Sequence, residues 1–107
     1  SLGPYAATKG AVVLMTRSLA LNHAPEGIRV NCVCPGSIDS PMLETCFDRE
    51  AAHGGERDAI RARYLAGHPI GRFGLPREVA AAVLFLASDD AAFLAGVALP
   101  VDGAALA

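Results

Sequence analysis

The first pattern in the chain is helical and runs from Tyr5 to about Ala24, with apolar or small residues over most of its circumference. Val12, Met15 and Leu19 recur at the i, i+3, i+7 spacing that places side chains on one helix face. Because few polar residues interrupt the other faces, we expect this helix to be buried on several sides or to pack against a partner helix. Pro25 predicts its end.

Two short apolar runs predict strands. Residues 28–34 are rich in β-branched side chains and are stopped by Pro35-Gly36, and their near-continuous apolarity favours a parallel strand that is covered on both faces. Residues 97–101 predict a second strand. Within it, Pro100 lacks a backbone N–H and therefore indicates an edge position.

Three further helices are predicted around these strands. The long segment 36–70 contains two short helical patterns, Met42–Phe47 and Glu56–Leu65, and a third helix starts at Pro76 and ends near Ser88. The order helix, strand, helical excursion, helix, strand predicts an α/β fold with the second half of a doubly wound parallel sheet.

Composition narrows the class of protein. The 107 residues suffice for one domain, and a hydrophobic content of 52% is too high for a disordered chain. A net charge of −2 without a basic cluster argues against nucleic acid and anionic lipid as partners. No apolar run reaches the roughly 18–20 residues of a membrane span. We therefore expect no nucleic acid and no membrane among the partners.

The three cysteines indicate the redox state of the cellular compartment and whether the chain holds a metal site. Cys32, Cys34 and Cys46 are an odd number without the spacing of a disulfide framework, which favours a reducing, cytoplasmic location. Cys32 and Cys34 would point to the same face of a strand, but no second ligand pair accompanies them. Buried thiols are therefore the favoured interpretation, and we expect no metal site.

Tyr5 and Lys9 stand four residues apart at the start of the first helix, so their side chains share one face. A phenol is a weak proton shuttle at neutral pH, but a close ammonium stabilises the phenolate, and each unit of pKa depression corresponds to about 1.4 kcal/mol. Such a pair can move a proton on a carbonyl or alcohol oxygen while a hydride moves at the carbon. A Tyr and a Lys at this spacing are common on helices, so the surrounding sequence decides whether the two residues form a catalytic pair.

Four segments supply that context by their order and spacing. They are GPYAATKGA at 3–11, RVNCVCPGSI at 29–38, GRFGLPREVA at 71–80 and PVDG at 100–103. Together they closely resemble the short-chain dehydrogenase/reductase family, and the resemblance spans nearly the whole chain. It implies a Rossmann-like fold, of which residues 1–107 would form the C-terminal part of a single domain, with the last two strands of its sheet.

The resemblance implies a catalytic pair and an NAD or NADP cofactor. Tyr5 matches the family's catalytic acid/base. Lys9 matches the lysine that lowers the pKa of the family's tyrosine and hydrogen-bonds the nicotinamide ribose. Members of the family interconvert carbonyls and secondary alcohols by hydride transfer. Their subunits commonly pair through the helix that corresponds to residues 5–24, which implies a homo-oligomer acting on a small-molecule substrate.

Further cofactor contacts are implied after the first strand. Pro35 and Gly36 match the turn that passes beneath the nicotinamide, and Ile38 matches the residue whose backbone contacts the carboxamide. Ser40 stands where the family usually has a threonine that hydrogen-bonds the cofactor. Residues 41–70 match the variable substrate-binding lid.

Several family features have no counterpart in the sequence. No G-x-G-x-x-G phosphate loop occurs, and the family's catalytic serine and relay asparagine would lie upstream of Ser1. We expect the N-terminal cofactor-binding half to be absent and the isolated 107-residue chain to be inactive and prone to aggregation through an unpaired strand edge. Ala104 stands where a second glycine is frequent, and Leu75 where a helix-capping residue is frequent.

The remaining polar and aromatic residues have more ordinary interpretations. His23, His53 and His68 share no spacing and are expected in solvent or in loops. Arg72 is expected in a structural ion pair rather than as a cofactor or substrate clamp. Lid packing and substrate contact both stay open for four residues of the excursion: Met42, Cys46, Phe47 and Tyr64.

Two alternative functions remain open from the sequence. A catalytically inactive, truncated relative could act as an oligomerisation or interaction module through the helix at 5–24 and the edge strand at 97–101. A relative could also keep the Tyr–Lys chemistry in an epimerase or dehydratase without net redox. Substrate identity is left open as well, because the shape of a substrate pocket depends on the conformation of the lid.

Overall fold

The computed structural model describes residues 2–107. The α-helices of this part of the chain are α1 (Gly3–His23), α2 (Pro41–Ala52), α3 (Arg57–Ala66) and α4 (Pro76–Ala87), and the strands are β1 (Cys32–Pro35) and β2 (Ala98–Val101). A single turn of 3₁₀ helix follows α1 at Ala24–Glu26, and another follows α4 at Asp89–Ala91. The predicted order of elements is confirmed.

The strands β1 and β2 pair in a two-stranded parallel sheet. The Cys32 N–H donates to the Val97 carbonyl at 2.9 Å, and the Gly36 N–H donates to the Val101 carbonyl at 3.1 Å. Both strands advance in the same direction between these two bonds, which is the parallel register. The α/β class is therefore confirmed, and β2, which carries Pro100, has β1 as its strand neighbour among residues 2–107.

The strand β1 is shorter than the strand predicted at residues 28–34. Asn31 replaces regular ladder bonds, because its side-chain amide donates to the Leu94 carbonyl and accepts from the Val97 N–H, each at 2.9 Å. Ladder pairing begins only at Cys32. The expectation of cover on both faces is wrong for the described residues, since the residues of β1 are half-buried or exposed.

The helix α2 continues to Ala52, well beyond the predicted end at Phe47. Its later turns are polar, and charge contacts to α3 stabilise them: the Arg57 guanidinium pairs with the carboxylates of Glu44 and Asp48. Hydrophobic periodicity carries no signal for such ion pairs, so the pattern ended where the apolar residues ended.

The helix α4 begins at Pro76 as predicted, although Leu75 offers no capping side chain. Glu78, in the first turn, supplies a contact that replaces the cap. Its Oε2 accepts a hydrogen bond from the Leu75 N–H at 2.8 Å. One backbone donor at the helix start is thereby satisfied from inside the helix, as in the second half of a capping box.

The described residues divide into two compact units. Unit 1 comprises the chain up to Cys34 together with Ala82–Leu99, and unit 2 comprises Pro35–Ala81 together with Pro100–Ala107. The helix α1 therefore lies in unit 1, and the helices α2 and α3 lie in unit 2.

In unit 1, α1 buries small side chains rather than its apolar stripe. Thr16 and Ala20 are its buried residues, whereas Val12, Met15 and Leu19 are exposed. The expectation that α1 is buried on several sides is wrong within residues 2–107. The alternative, that α1 packs against a partner helix, stays a prediction.

Arg29 connects the start of β1 with the end of α4 inside unit 1. Its guanidinium donates to the carbonyls of Leu86, Ser88 and Leu94 at 2.8, 3.0 and 3.3 Å. The last carbonyls of a helix have no partner within the helix, so an arginine at this place satisfies groups that would otherwise need water. Arg29 in the segment RVN therefore has a structural role.

Unit 2 contains a hydrophobic core of its own, built by α2, α3 and the loop before α4. Its buried members are Leu43, Phe47, Ile60 and Phe73, and Phe47 is completely buried. The ring of Tyr64 packs edge-on against Phe47 with 5.2 Å between centroids. This core fixes α2 against α3 within the segment predicted as the lid.

Candidate functional site

The Tyr5 and Lys9 side chains extend from the same face of α1, as their spacing predicts. The Lys9 Nζ lies 5.4 Å from the centroid of the Tyr5 ring. Tyr5 is the third residue of α1 and is 60% exposed, so its hydroxyl is open to a bound molecule. The helix N-terminus adds the positive end of the peptide dipoles near the phenol, which favours negative charge there.

The other residues singled out from the sequence, Pro35, Gly36, Ile38 and Ser40, all lie in unit 2. They form one short path from the end of β1 to the start of α2. Tyr5 and Lys9 lie in unit 1. Each group is thus brought together within its own unit.

Gly36 is required by close packing rather than by its backbone angles. A Cβ atom built on Gly36 would lie 2.8 Å from the Nε2 of His68 and 3.0 Å from the Cα of Asp102. The second contact is to backbone and cannot be relieved by a side-chain rotation. Any larger residue would therefore displace the turn that follows β1.

Ile38 is held in an isolated parallel bridge with Gly74. The Gly74 N–H donates to the Ser37 carbonyl at 3.0 Å, and the Asp39 N–H donates to the Gly74 carbonyl at 2.8 Å. In such a bridge the neighbours of Ile38 make both bonds, so the N–H and C=O of Ile38 itself point away from Gly74. One donor and one acceptor side by side match the hydrogen-bonding groups of a primary carboxamide.

Ser40 is the N-cap of α2, with Pro41 in the first turn. Its Oγ accepts from the Leu43 N–H at 3.5 Å, which is a long contact. Capping uses a lone pair of the hydroxyl, so the O–H hydrogen is still available to donate to a ligand. The structure therefore gives Ser40 a local role that leaves the implied cofactor contact chemically possible.

His68 is the residue that sequence reasoning missed. His68 lies in a loop, as expected, but it is buried rather than solvated, because only 8% of the residue is exposed. Its Nε2 accepts from the Ser37 N–H at 2.9 Å. Nothing in the local sequence signals this bond, since Ser37 lies in a distant segment. His23 and His53 match the expectation better, because their hydrogen bonds are exposed.

The aromatic candidates of the lid serve packing. Phe47 is buried in the core of unit 2, and the Tyr64 hydroxyl donates to the Glu50 carboxylate at 2.8 Å. That bond, followed by the ion pair with Arg63, holds the pKa of Glu50 below its ordinary value, and the same carboxylate raises the pKa of Tyr64. Met42 is exposed and remains accessible to a substrate.

Arg72 forms the structural ion pair expected from the sequence. Its guanidinium is bidentate on Glu78, with N–O distances of 2.8 and 2.7 Å. The Arg72 bonds, followed by the Leu75 N–H, lower the pKa of Glu78 to about 2. Arg72 is therefore occupied by a carboxylate and anchors the start of α4.

A cavity of about 360 Å³ lies within unit 2, next to the turn after β1. Six of the residues that line it are polar or belong to the turn: Ser37, Ile38, His68, Arg72, Glu78 and Asp102. Asp102 is used locally, since its carboxylate accepts from the N–H groups of Ala104 and Leu106.

No cluster of three or more His, Cys, Asp or Glu side chains within residues 2–107 is arranged to hold a metal ion. Among the described helices, none combines the length and the apolarity needed to cross a bilayer.

Comparison with known proteins places the chain in a family. A family model described as enoyl-(acyl carrier protein) reductase matches residues 1–104. The 2-(S)-hydroxypropyl-CoM dehydrogenase 3 of Xanthobacter autotrophicus is 44% identical over 103 residues, which are 96% of this chain and 39% of that protein. From the same organism, a protein named inactive 2-(S)-hydroxypropyl-CoM dehydrogenase 2 is 45% identical over 96% of this chain and 43% of its own length.

A solved structure agrees with the sequence comparison. A short-chain dehydrogenase family protein from Francisella tularensis superposes with a TM-score of 0.85 and 38% identity, covering 92% of this chain and 41% of that one. The chain thus spans about two fifths of the length of the relatives it matches. It belongs to the short-chain dehydrogenase/reductase family.

Proposed function

We propose that these residues carry the proton-transfer pair and the nicotinamide-side turn of an NAD- or NADP-dependent oxidoreductase that interconverts a carbonyl and a secondary alcohol. The single observation that supports this most is the approach of the Lys9 Nζ to 5.4 Å from the Tyr5 ring centroid on an exposed helix start. The dehydrogenase names of the relatives support the same class of reaction.

Tyr5 acts as the acid and base of this reaction. Its hydroxyl gives a proton to the carbonyl oxygen during reduction and takes one from the alcohol during oxidation. The Lys9 ammonium stabilises the phenolate that Tyr5 becomes when the proton leaves. A bound nicotinamide would supply or accept the hydride at the substrate carbon.

The remaining named residues hold the cofactor in this proposal. Lys9 and Tyr5 would bind the nicotinamide ribose, and the Pro35-Gly36 turn would contact the nicotinamide ring. The free side of the Ile38 backbone fits the carboxamide, because it offers one donor and one acceptor. The Ser40 hydroxyl, which caps α2, would donate to the cofactor.

Substitution of Tyr5 tests the proposal in the complete polypeptide that carries these residues. Tyr5→Phe is expected to lower kcat for secondary alcohols by about 10²–10⁴-fold, because it removes general acid–base catalysis, while the Kd of NAD or NADP stays nearly unchanged. Tyr64→Phe is the matched control, since it removes a tyrosine hydroxyl that binds the Glu50 carboxylate within unit 2. Lys9→Ala is expected to weaken cofactor binding and lower kcat. Full turnover by Tyr5→Phe would remove Tyr5 from its role.

A second candidate function is an interaction module built on α1. Its support is the exposed apolar surface of this helix and the existence of a relative that is named inactive. We propose that this surface pairs with a second copy of the chain. Sedimentation and turnover assays of the complete polypeptide together separate the two candidates. Self-association without turnover of any carbonyl or alcohol favours the module, and turnover favours the enzyme.

A further inference from the structure

We propose that His68 is a positioning residue: its neutral imidazole holds the turn Pro35–Gly36–Ser37 in the shape that receives the nicotinamide cofactor. The proposal rests on the proposed function, because the contact between this turn and the cofactor belongs to that function. His68 itself acts only through the backbone of Ser37 and the space beside Gly36.

The hydrogen bonds of His68 define one tautomer of its ring. The Nδ1 lies 2.9 Å from the Tyr64 carbonyl oxygen, and a carbonyl can only accept, so Nδ1 carries the hydrogen. The Nε2 lies 2.9 Å from the Ser37 nitrogen, whose N–H can only donate, so Nε2 offers its lone pair. Both bonds exist together only in the neutral form with the hydrogen on Nδ1.

Packing prevents the His68 ring from turning away from Ser37. The ring lies edge-on to Phe73 with 6.1 Å between centroids, and the residue is 8% exposed. On the other side, the backbone at Gly36 is so close that a Cβ there would lie 2.8 Å from Nε2. A displacement of the ring would therefore be transmitted to the turn.

Protonation of the ring would remove the acceptor for Ser37. An N–H on Nε2 would oppose the N–H of Ser37, and one of the two donors would lose its partner in a poorly hydrated place. Charged and titratable groups surround this site on several elements. Arg72, Glu78 and Asp102 share the cavity with His68. From α3, the Tyr64 carbonyl accepts from the His68 ring, and the Arg61 guanidinium lies over the Phe73 ring.

The first test uses the unmodified complete polypeptide. Long-range ¹H–¹⁵N spectra are expected to show His68 with its hydrogen on Nδ1. Because the Ser37 N–H donates to the His68 Nε2, amide hydrogen exchange at Ser37 is expected to be slow at neutral pH. A hydrogen on Nε2 at neutral pH, or a Ser37 amide that is unprotected there, would overturn the proposal.

The second test compares three substitutions. His68→Leu removes the acceptor and is expected to accelerate Ser37 exchange about tenfold, which corresponds to about 1.4 kcal/mol. It is also expected to raise the Kd of the cofactor about 3- to 10-fold with a smaller change in kcat. His68→Gln can present its Oε1 to the Ser37 N–H and is expected to restore protection.

His53→Leu is the matched control. His53 makes the same local bond, with Nδ1 2.7 Å from the Arg49 carbonyl four residues earlier, but it is exposed at the end of α2. It is expected to change neither Ser37 exchange nor cofactor affinity. Equal effects of His53→Leu and His68→Leu would overturn the proposal.

The outcomes separate this proposal from the proposed function. If His68→Leu exposes the Ser37 amide but leaves cofactor affinity unchanged, His68 does not position a cofactor turn, and the positioning proposal fails even where Tyr5→Phe abolishes turnover. If neither NAD nor NADP binds to the unmodified protein, the proposed function fails.

Discussion

The two units differ in where their apolar side chains find partners. In unit 2, α2 and α3 bury Phe47 and Ile60 against each other and carry ion pairs between their polar faces. In unit 1, most of the large apolar side chains of α1 and of the second half of α4 lie on the surface, although Leu86 is buried. The exposed ones are Val12, Leu14, Met15, Leu19, Leu21, Val83, Leu84 and Phe85. An apolar stripe on a helix therefore predicts that the stripe will be buried. It does not show whether the residues that bury it belong to the same unit.

The largest expected effect is at the centre of the self-contained unit. Phe47→Ala is expected to lower the free energy of unfolding of the complete polypeptide by about 3–5 kcal/mol, because it leaves a cavity among Leu43, Ile60 and Phe73. Urea unfolding measures the change. A loss below about 1 kcal/mol would show that the core of unit 2 does not depend on this ring.

Met15→Ala is the matched substitution in unit 1, where the side chain is 56% exposed. At a dilution where the protein is monomeric, its effect is expected to stay within about 0.5 kcal/mol. A loss as large as that of Phe47→Ala under the same conditions would contradict the comparison. It would mean that residues outside the described part of the chain cover α1.

A smaller effect is expected where unit 2 holds an alanine in an unfavourable conformation. Ala104 has a φ of 70°, in the left-handed region that glycine adopts readily. Ala104→Gly is expected to raise the free energy of unfolding by about 0.5–1 kcal/mol, since relief of about 1–2 kcal/mol is partly offset by the entropy of an unfolded glycine. Ala105→Gly, next to it, is expected to give no gain, and an equal gain would contradict the role of φ.

The smallest effect is expected from Glu78→Gln: a slight loss of stability at neutral pH, which fades as the pH falls below about 4.5. The pKa of Glu78 is about 2 in the folded protein against an ordinary 4.5. The carboxylate therefore contributes stability that is complete above about pH 4.5 and is lost as the pH falls through about 2. Urea midpoints should fall more steeply for the unmodified protein than for Glu78→Gln in this range.

Asp90→Asn controls for the loss of one exposed negative charge in that experiment. If Glu78→Gln and the unmodified protein lose stability in parallel below about pH 4.5, the ion pair with Arg72 does not exist in solution.

Much of the fold could be predicted because its signals are local. The prolines after α1 and at the start of α4, together with the alternation of helices and short apolar runs, located the elements in the right order. The ends of β1 and α2 could not be predicted, since Asn31 and Arg57 set them through partners that are distant in the chain.

The candidate site shows the same division. The spacing of Tyr5 and Lys9 placed both side chains on one face of α1, because a helix repeats every three to four residues. The environment of Gly36 could not be predicted from any local sequence pattern. His68 and Asp102 approach it from far along the chain, and only their packing explains why no side chain fits there.

By itself, the sequence determined which residues can do chemistry and which elements carry them, because helical spacing and turn residues act over a few positions. The tertiary structure decided which of those residues are accessible, as Tyr5 is, and which are buried in the core, as Phe47 is. It also turned His68 from an ordinary histidine into a buried acceptor for Ser37. Burial and hydrogen-bond partners are properties of contacts between distant segments, and these exist only once the chain has folded.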